Sequence, residues 1–466
     1  MKLPRFSESH SVDMTTGPVF SGLVRMAIPL ALSSILQMLF SSADLVVVGN
    51  FAGRNALAAV GSCSVVVNFA ITLFIGLSIG GNAVVARYLG AGDGAKASDA
   101  AHSSIVLGFI SGFVLSIIGY FLARPCLTAL HAPPETFELS ARYLQTYALG
   151  VAPIMVYNFG SSILRSKGDT RRPLSYLAFA GVLNVALNLL FVVAMRLGVT
   201  GAALGTALSQ FLAAWLVLRA LVCEPESDPC RIVPGRLRLA PGVTGEILRL
   251  GAPVGLQNAV LYSSNLVLQA AVNGFGPVMM AGSAAAENLE DWVWFTVTAV
   301  SSCVLTFIAQ NVGAGRFDRL NRVAFVGVAS CAGAALALGM LVVLFSPQLL
   351  SLFEPDASVI AAGRIRVFYM CFFFWICALM DSTSAIVRGL GHSVAPMVVS
   401  LVGAWALRIL WIMSLFQIPE YHTPAILFLC FPITWTITFF ANLCCYAYYR
   451  RRLGGDGSEA GTCASG

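Results

Sequence analysis

The sequence predicts an all-α, polytopic membrane protein of twelve transmembrane helices in two six-helix bundles. Three observations carry that reading. Only 50 of the 466 residues are charged, 11%, while 58% are hydrophobic; a soluble globular chain carries about 25% charge. Twelve apolar runs follow one another along the chain, and a bilayer-spanning helix needs about 20 apolar residues. The last six runs repeat features of the first six at a fixed spacing. This composition excludes an ordinary soluble enzyme. It also excludes a disordered chain, which needs low hydrophobicity and high net charge. An outer-membrane barrel would show alternating segments of about ten residues instead of long apolar runs.

The segments fall near residues 23–49, 57–86, 101–123, 139–162, 173–195 and 199–222, then 248–272, 279–309, 323–346, 361–387, 396–416 and 424–448. Residues 1–20 are polar and hold no apolar core of a cleavable signal peptide, so they are expected to form a cytoplasmic N-terminal segment. The N-terminal bundle is expected over 21–222 and the C-terminal bundle over 246–449. Between them, 223–245 holds Pro225, Pro229, Pro234 and Pro241 and reads as a cytoplasmic linker. Residues 450–466, starting with Arg450 to Arg452, read as a cytoplasmic tail.

Charge sets the orientation, because Lys and Arg are retained on the cytoplasmic side. With a cytoplasmic N-terminus, all basic residues but Arg54, Arg124, Arg142, Arg196, Arg364, Arg366 and Arg408 fall on that side. Both termini are therefore expected in the cytoplasm, with the protein in the cell inner membrane. The net charge of +6 then reflects topology and not nucleic-acid binding. The 12 cysteines are scattered, without metal spacing, and read as small apolar helix residues.

The halves match one another. Asn158-FGSSIL-Arg165 aligns with Asp381-STSAIV-Arg388, and Leu89-Gly-Ala-Gly92 with Val312-Gly-Ala-Gly315, both 223 residues apart; Arg25-MAI-Pro29 aligns with Arg249-LGA-Pro253. Each unit has an even number of helices, so both insert the same way round. Parallel repeats of this kind are a known transporter design with substrate sites at the repeat interface.

Ionisable residues inside the apolar runs are costly and mark function by default. They are Asp44, Glu287, Glu290, Asp291, Asp381 and Arg408. Asp44 lies in segment one, near its outer end. Asn184 and Asn188 sit four apart on one face of segment five, and Thr206 enters segment six at similar depth. A carboxylate among amides and a hydroxyl suits a proton or a small cation such as Na⁺. Packing glue is the plain alternative for the asparagines. Glu287, Glu290 and Asp291, at i, i+3 and i+4, share a helical face and could form a second acidic site. If the helix enters the bilayer only at Trp292 and Trp294, they are interfacial instead. Asp381 is the repeat mate of Asn158. Arg408 could pair with an acid of the C-terminal bundle or snorkel. Pro29 could kink segment one and act as a hinge near Asp44; a static bend is the alternative. No phosphate loop, zinc spacing or nucleophile elbow occurs, so no enzyme and no cofactor are expected.

Together, Asp44-LVV-Val48-Gly49, Ala56-LAAVG, Leu89-GAG, Leu164-RSKGDTRRP, Leu197-GVTGAALGTALSQ and Gln310-NVGAG resemble the multidrug and toxic compound extrusion (MATE) family, in particular its prokaryotic DinF-like branch. The resemblance covers about residues 20–450. It implies a V-shaped pair of six-helix bundles and a secondary antiporter that exports amphipathic, often cationic compounds against H⁺ or Na⁺. By family position, Asp44, Pro29, Asn184, Asn158 and Thr206 match the coupling-site residues. One position departs: relatives of this branch often carry a second aspartate where this chain has Asn188. Asp44 is then the single acid of the N-terminal bundle, and the segment-eight acids and Asp381 share or replace its role.

The expected function is therefore alternating-access efflux by a monomer of small amphipathic molecules in the lipid bilayer, with Asp44 as the ion or proton switch. A lipid-linked oligosaccharide flippase of the same superfamily is the near alternative, for which Arg408 is the one candidate cavity cation. A channel or receptor is the alternative from another class. A channel would want a pore-lining polar stripe or a re-entrant filter loop, and neither is visible in the sequence; a receptor would not explain the duplicated six-helix unit.

Overall fold

In a computed structural model, residues 11–130 and 132–462 are described; for Val65 and 453–462 only the backbone is. The chain divides into two compact units, Met1–Ile247 and Leu248–Gly466.

The first unit contains α1 (Val19–Phe51), α2 (Arg54–Gly90), α3 (Gly94–Ala129), α4 (Pro134–Ser166), α5 (Arg171–Asn188) and α6 (Gly198–Val222). α5 runs on as a π-helical turn, Leu189–Ala194. α7 (Pro241–Asn273) leads into the second unit, with α8 (Pro277–Gly313), α9 (Phe317–Leu344), α10 (Ser346–Ser351), α11 (Ala357–Val367), α12 (Phe374–Gly389), α13 (Val394–Ser400), α14 (Leu407–Met413) and α15 (Pro424–Thr462). Each of the twelve expected segments meets a helical rod. Segments ten and eleven are each interrupted by a π-helical stretch, Phe368–Phe372 and Leu401–Ala406.

Among the described residues, ten helices are long and apolar enough to cross a membrane, and the pair α11–α12, bent by 40°, makes an eleventh candidate. α7 is long enough but too polar to join them by composition. Arg249, Gln257, Ser263, Ser264 and Gln269 dilute its apolar face. Its polar side chains have partners inside the second unit, as described below.

The repeat is written in the backbone. α2 and α8 begin and end 223 residues apart, and α4 begins 223 before α11 and ends 223 before α12. The turns agree too. Gly53 and Gly276 have φ of +92° and +90°, Gly92 and Gly315 +70° and +64°, Gly168 and Gly391 +85° and +98°. These left-handed positions need glycine because a Cβ would collide with the following carbonyl. The Gly-Ala-Gly pieces are thus turns, as expected.

Two expected boundaries shift. α7 starts at Pro241, so the linker is shorter than 223–245. It is also tied down against the first unit. Lys167 pairs with Glu224 at 3.1 Å and with Asp228, and Arg172 pairs with Glu224 at 2.7 Å and with Asp169. The Val233 amide donates to His102 Nε2 (3.0 Å), and Cys230 and Ile232 are buried. The expected tail at 450 starts instead as a continuation of α15 up to Thr462, because no helix breaker precedes Arg450 to Arg452. Residues 1–10 and 463–466 of the expected terminal segments lie outside the described residues. Lastly, α1 runs through Pro29 as one helix.

Candidate functional site: an intramembrane carboxylate held by α1, α5 and α6

Small residues bring the three helices together. A Cβ on Gly181 of α5 would collide with the Phe40 ring of α1, and one on Gly205 of α6 would collide with the Asn188 side chain. Close backbone approach through small residues is how membrane helices gain packing where lipid removes the hydrophobic drive. It places Asp44, Asn184, Asn188 and Thr206 within one hydrogen-bonded group.

Both Asp44 oxygens are engaged. Asn188 Nδ2 donates to Oδ1, and Thr206 Oγ1 lies 3.1 Å from Oδ2. Asn184 Nδ2 donates to Thr206 Oγ1 at 3.3 Å. The same hydroxyl lies 3.1 Å from the Ala202 carbonyl, so its single proton serves either that carbonyl or Asp44. Asn184 and Asn188 are buried, and the Oδ1 of each is a buried acceptor without a donor among the described residues. One carboxylate, two free amide oxygens and a hydroxyl make a hard oxygen donor set of the kind small hard cations use. A proton on Asp44 would equally find acceptors there. Among the described residues no group of three or more His, Cys, Asp or Glu is arranged for a metal ion.

Asn158 does not join this group. It is half-buried on α4 and returns its amide to the Ile154 carbonyl of its own helix, 2.9 Å away. Pro29 lies more than three helical turns before Asp44 in the same unbroken helix; its carbonyl accepts from Ser33 Oγ at 2.8 Å. Two residues that sequence reasoning missed are Tyr143 and Tyr147 of α4. Their rings are 5.8 Å apart, and both lie within electrostatic reach of Asp44. An i, i+4 aromatic pair at similar depth was the available signal.

The second unit handles its charges differently from expectation. Glu287, Glu290 and Asp291 do not act as three free carboxylates. Glu290 and Arg366 of α11 form a buried bidentate pair, Nε–Oε1 2.8 Å and Nη2–Oε2 2.9 Å. Arg366 Nη1 also donates to Ser283 Oγ (2.7 Å) and lies 3.6 Å from Glu287. The charge count places Arg366 with the outer-side charges, although it falls inside segment ten. Its position among apolar residues was the signal that a charge count overlooks. Asp291 is half-buried and makes no ion pair among the described residues, and the same holds for Asp381. Among the described residues Arg408 pairs with no acid, and it does not snorkel. It is buried, donates to Ser264 Oγ of α7 at 2.9 Å and stacks over Phe431 with its guanidinium carbon 4.0 Å from the ring centre. Arg388, counted as cytoplasmic, is also buried and donates to Gln257 Oε1 at 3.0 Å. The polar face of α7 thus serves guanidiniums, which accounts for its low apolar content.

The family model MatE matches residues 29–190 and 253–412, one stretch in each unit and most of the chain. The protein belongs to the MATE family of transporters. It is similar to the probable multidrug resistance protein YpnP of Bacillus subtilis, 29% identical over 85% of this chain and 88% of that one. It is also similar to an FAD transporter of Shewanella oneidensis, 26% identical over 74% of this chain and 77% of that one. Among solved structures, an outward-facing multidrug resistance MATE transporter superposes with a TM-score of 0.85 at 22% identity, over 96% of this chain and 98% of the other. That likeness shows the MATE fold. The two matched stretches begin at Pro29 and Pro253, the prolines paired by the repeat.

Proposed function

We propose that this MATE transporter is a secondary antiporter. It exports small amphipathic, cationic compounds across the cell inner membrane, both termini cytoplasmic, in exchange for H⁺ or Na⁺. The single observation that carries the coupling assignment is the Asp44 carboxylate, held by Asn188 and Thr206 beside two buried amide oxygens that lack donors. The family relatives named for multidrug resistance support the substrate class.

A carboxylate at membrane depth is costly when it is unneutralised. Loading it with a proton or Na⁺ removes its charge and its attraction for a cationic substrate. Ion and substrate then exclude one another, which is the condition for exchange instead of leak. Unloading on the side of low ion concentration restores the charge. Ligands shift a two-state transporter only by their differential affinity for its states, so Asp44 couples the cycle to the extent that one state holds the ion better.

The test is gradient-driven efflux of a fluorescent cation from proteoliposomes carrying wild type or Asp44→Asn, with H⁺ and Na⁺ gradients imposed separately. Loss of gradient-driven efflux with retained substrate binding is expected. Undiminished efflux by Asp44→Asn would remove Asp44 from the mechanism.

A second reading, transport of an anionic substrate such as a nucleotide or a lipid-linked pyrophosphate, rests on Arg408. It is a buried guanidinium with no carboxylate partner among the described residues. The FAD transporter relative is the family precedent. A panel holding both cationic and anionic substrates separates the two readings.

A further inference from the structure

A cleft of about 310 Å³ opens in the first unit where α1 and α5 begin, on the face away from the Asp44 group. Arg25 and Arg171 line it, with Ser21, Thr170, Ser11 and Asp13. Both arginines are exposed, and neither guanidinium has an ion-pair or hydrogen-bond partner among the described residues; Arg171 uses only its backbone, its amide donating to Asp169 and its carbonyl accepting from Ser175. The Asp13 carboxylate is already committed to its own turn. Its Oδ1 accepts from the Thr15 amide at 2.9 Å and the Thr16 amide at 3.0 Å, and Oδ2 accepts from the Thr16 hydroxyl. These bonds, Thr16 foremost, hold its carboxyl well below the usual carboxylate range. Among the described residues the cleft therefore carries two positive charges and one negative.

That balance matches a monoanion better than a dianion. A phosphodiester carries one charge and accepts bidentate bonds from guanidinium. The start of α1, whose Pro18, Ser21 and Gly22 line the cleft, has no side-chain cap.

An independent observation concerns what continues from the cleft. On α1, Arg25 is followed along the same helical face by Ile28, Leu32 and Leu39, which are 55%, 45% and 53% exposed. On α5, Arg171 is followed by Phe179 and Val182, 58% and 69% exposed. Each arginine thus stands at the foot of apolar side chains that are exposed among the described residues. A charged foot below apolar stripes is the shape of a headgroup site below acyl chains. Soluble phosphate would use the foot alone.

We propose that this cleft binds the phosphodiester of a membrane phospholipid, with Arg25 and Arg171 on the phosphate and the acyl chains along the exposed faces of α1 and α5. Because α1 also carries Asp44, an occupied cleft anchors the foot of the helix that bears the carboxylate.

The experiment is native mass spectrometry of the full-length, detergent-purified chain titrated with phosphatidylglycerol, with glycerophosphoglycerol (the same headgroup without chains) and with inorganic phosphate. Wild type is compared with Arg25→Gln/Arg171→Gln. An Arg236→Gln/Arg322→Gln control removes equal charge from exposed arginines outside the cleft. Each basic residue near a membrane surface contributes about a factor of five to anionic-lipid binding, so the double variant should need about 30-fold more phosphatidylglycerol for half occupancy. The control should change it less than threefold. If the double variant is not recovered folded, Ser21→Glu, which sets a carboxylate in the cleft, should weaken binding about tenfold. Equal lipid occupancy in wild type, the double variant or Ser21→Glu overturns the proposal. So does binding of inorganic phosphate or the chain-free headgroup as tight as that of the lipid, which would mark a site for a soluble anion.

Discussion

Neutralising Glu290 tests the charge arrangement of the second unit most directly. In wild type, Glu290 and Arg366 are each 5% exposed and share two hydrogen bonds of 2.8 and 2.9 Å. At an effective dielectric of about 20, two unit charges about 4 Å apart attract by about 4 kcal/mol. Glu290→Gln removes that attraction and strands the guanidinium. Glu287, 3.6 Å away, compensates poorly because its side chain is 52% exposed and screened. Ser283 still accepts one bond. Breaking one side of a buried pair costs about 3–5 kcal/mol, and for a unit of this size about 3 kcal/mol corresponds to a Tm lowered by about 6–12 °C. Thermal unfolding of the full chain in detergent, followed by tryptophan fluorescence, reads this out. Arg366→Met should cost a similar amount. The double variant Glu290→Leu/Arg366→Met should recover most of it, because paired apolar replacements are often neutral. A Glu290→Gln protein melting within 2 °C of wild type, or a double variant as unstable as the two single losses added, would refute the reasoning.

Gly205→Ala should abolish ion-coupled efflux in proteoliposomes while leaving the protein folded, since the added methyl displaces the Asn188 side chain from Asp44; unchanged coupling would show that this contact is dispensable. Cys230 is fully buried and its thiol is pushed up to about 12 by burial, so maleimide should label it at least tenfold more slowly than Cys223, which is exposed. In Lys167→Ala, which releases Asp228 from its ion pair and leaves Glu224 to Arg172 alone, labelling of Cys230 should accelerate; site-resolved mass spectrometry checks both rates. Arg408→Met keeps the packing on Phe431 and removes the charge. It should leave efflux of cations within about twofold while abolishing any transport of anions, and loss of cation efflux would place Arg408 in the cationic cycle instead.

Much of the fold was legible because its signals are local. Apolar run length sets each helix, and glycine at a left-handed turn is a single-residue requirement. Gly53, Gly92 and Gly168 therefore announce their mates at Gly276, Gly315 and Gly391. The proposed coupling group was legible for a related reason. Asn184 and Asn188 share a face by helical periodicity, and depth counting puts Asp44 and Thr206 at their level. Arg366 was not legible by the same means. Sorting basic residues by side treats an arginine near a segment end as a topology marker, whereas its partner Glu290 lies 76 positions away. Arg408 failed differently: the expectation sought a carboxylate, and its surroundings are a hydroxyl and an aromatic face. Asn158 shows the reverse error, since a residue can match a family position and still spend its amide on its own helix.

By itself the sequence determined the solvent, the helical class, the duplication and the family, because each depends on composition, period or spacing along the chain. Only the tertiary structure decided which charges are neutralised and by whom. In hydrocarbon a charge is tolerable only with a partner at about 3 Å, and that partner is chosen by helix packing, not by position in the chain. Asp44 meets Asn188 and Thr206 through glycines that let α1, α5 and α6 approach. Glu290 meets Arg366 and is silenced. The few charges that survived in an apolar chain were visible from the start, but which of them stayed available for chemistry was settled by contact.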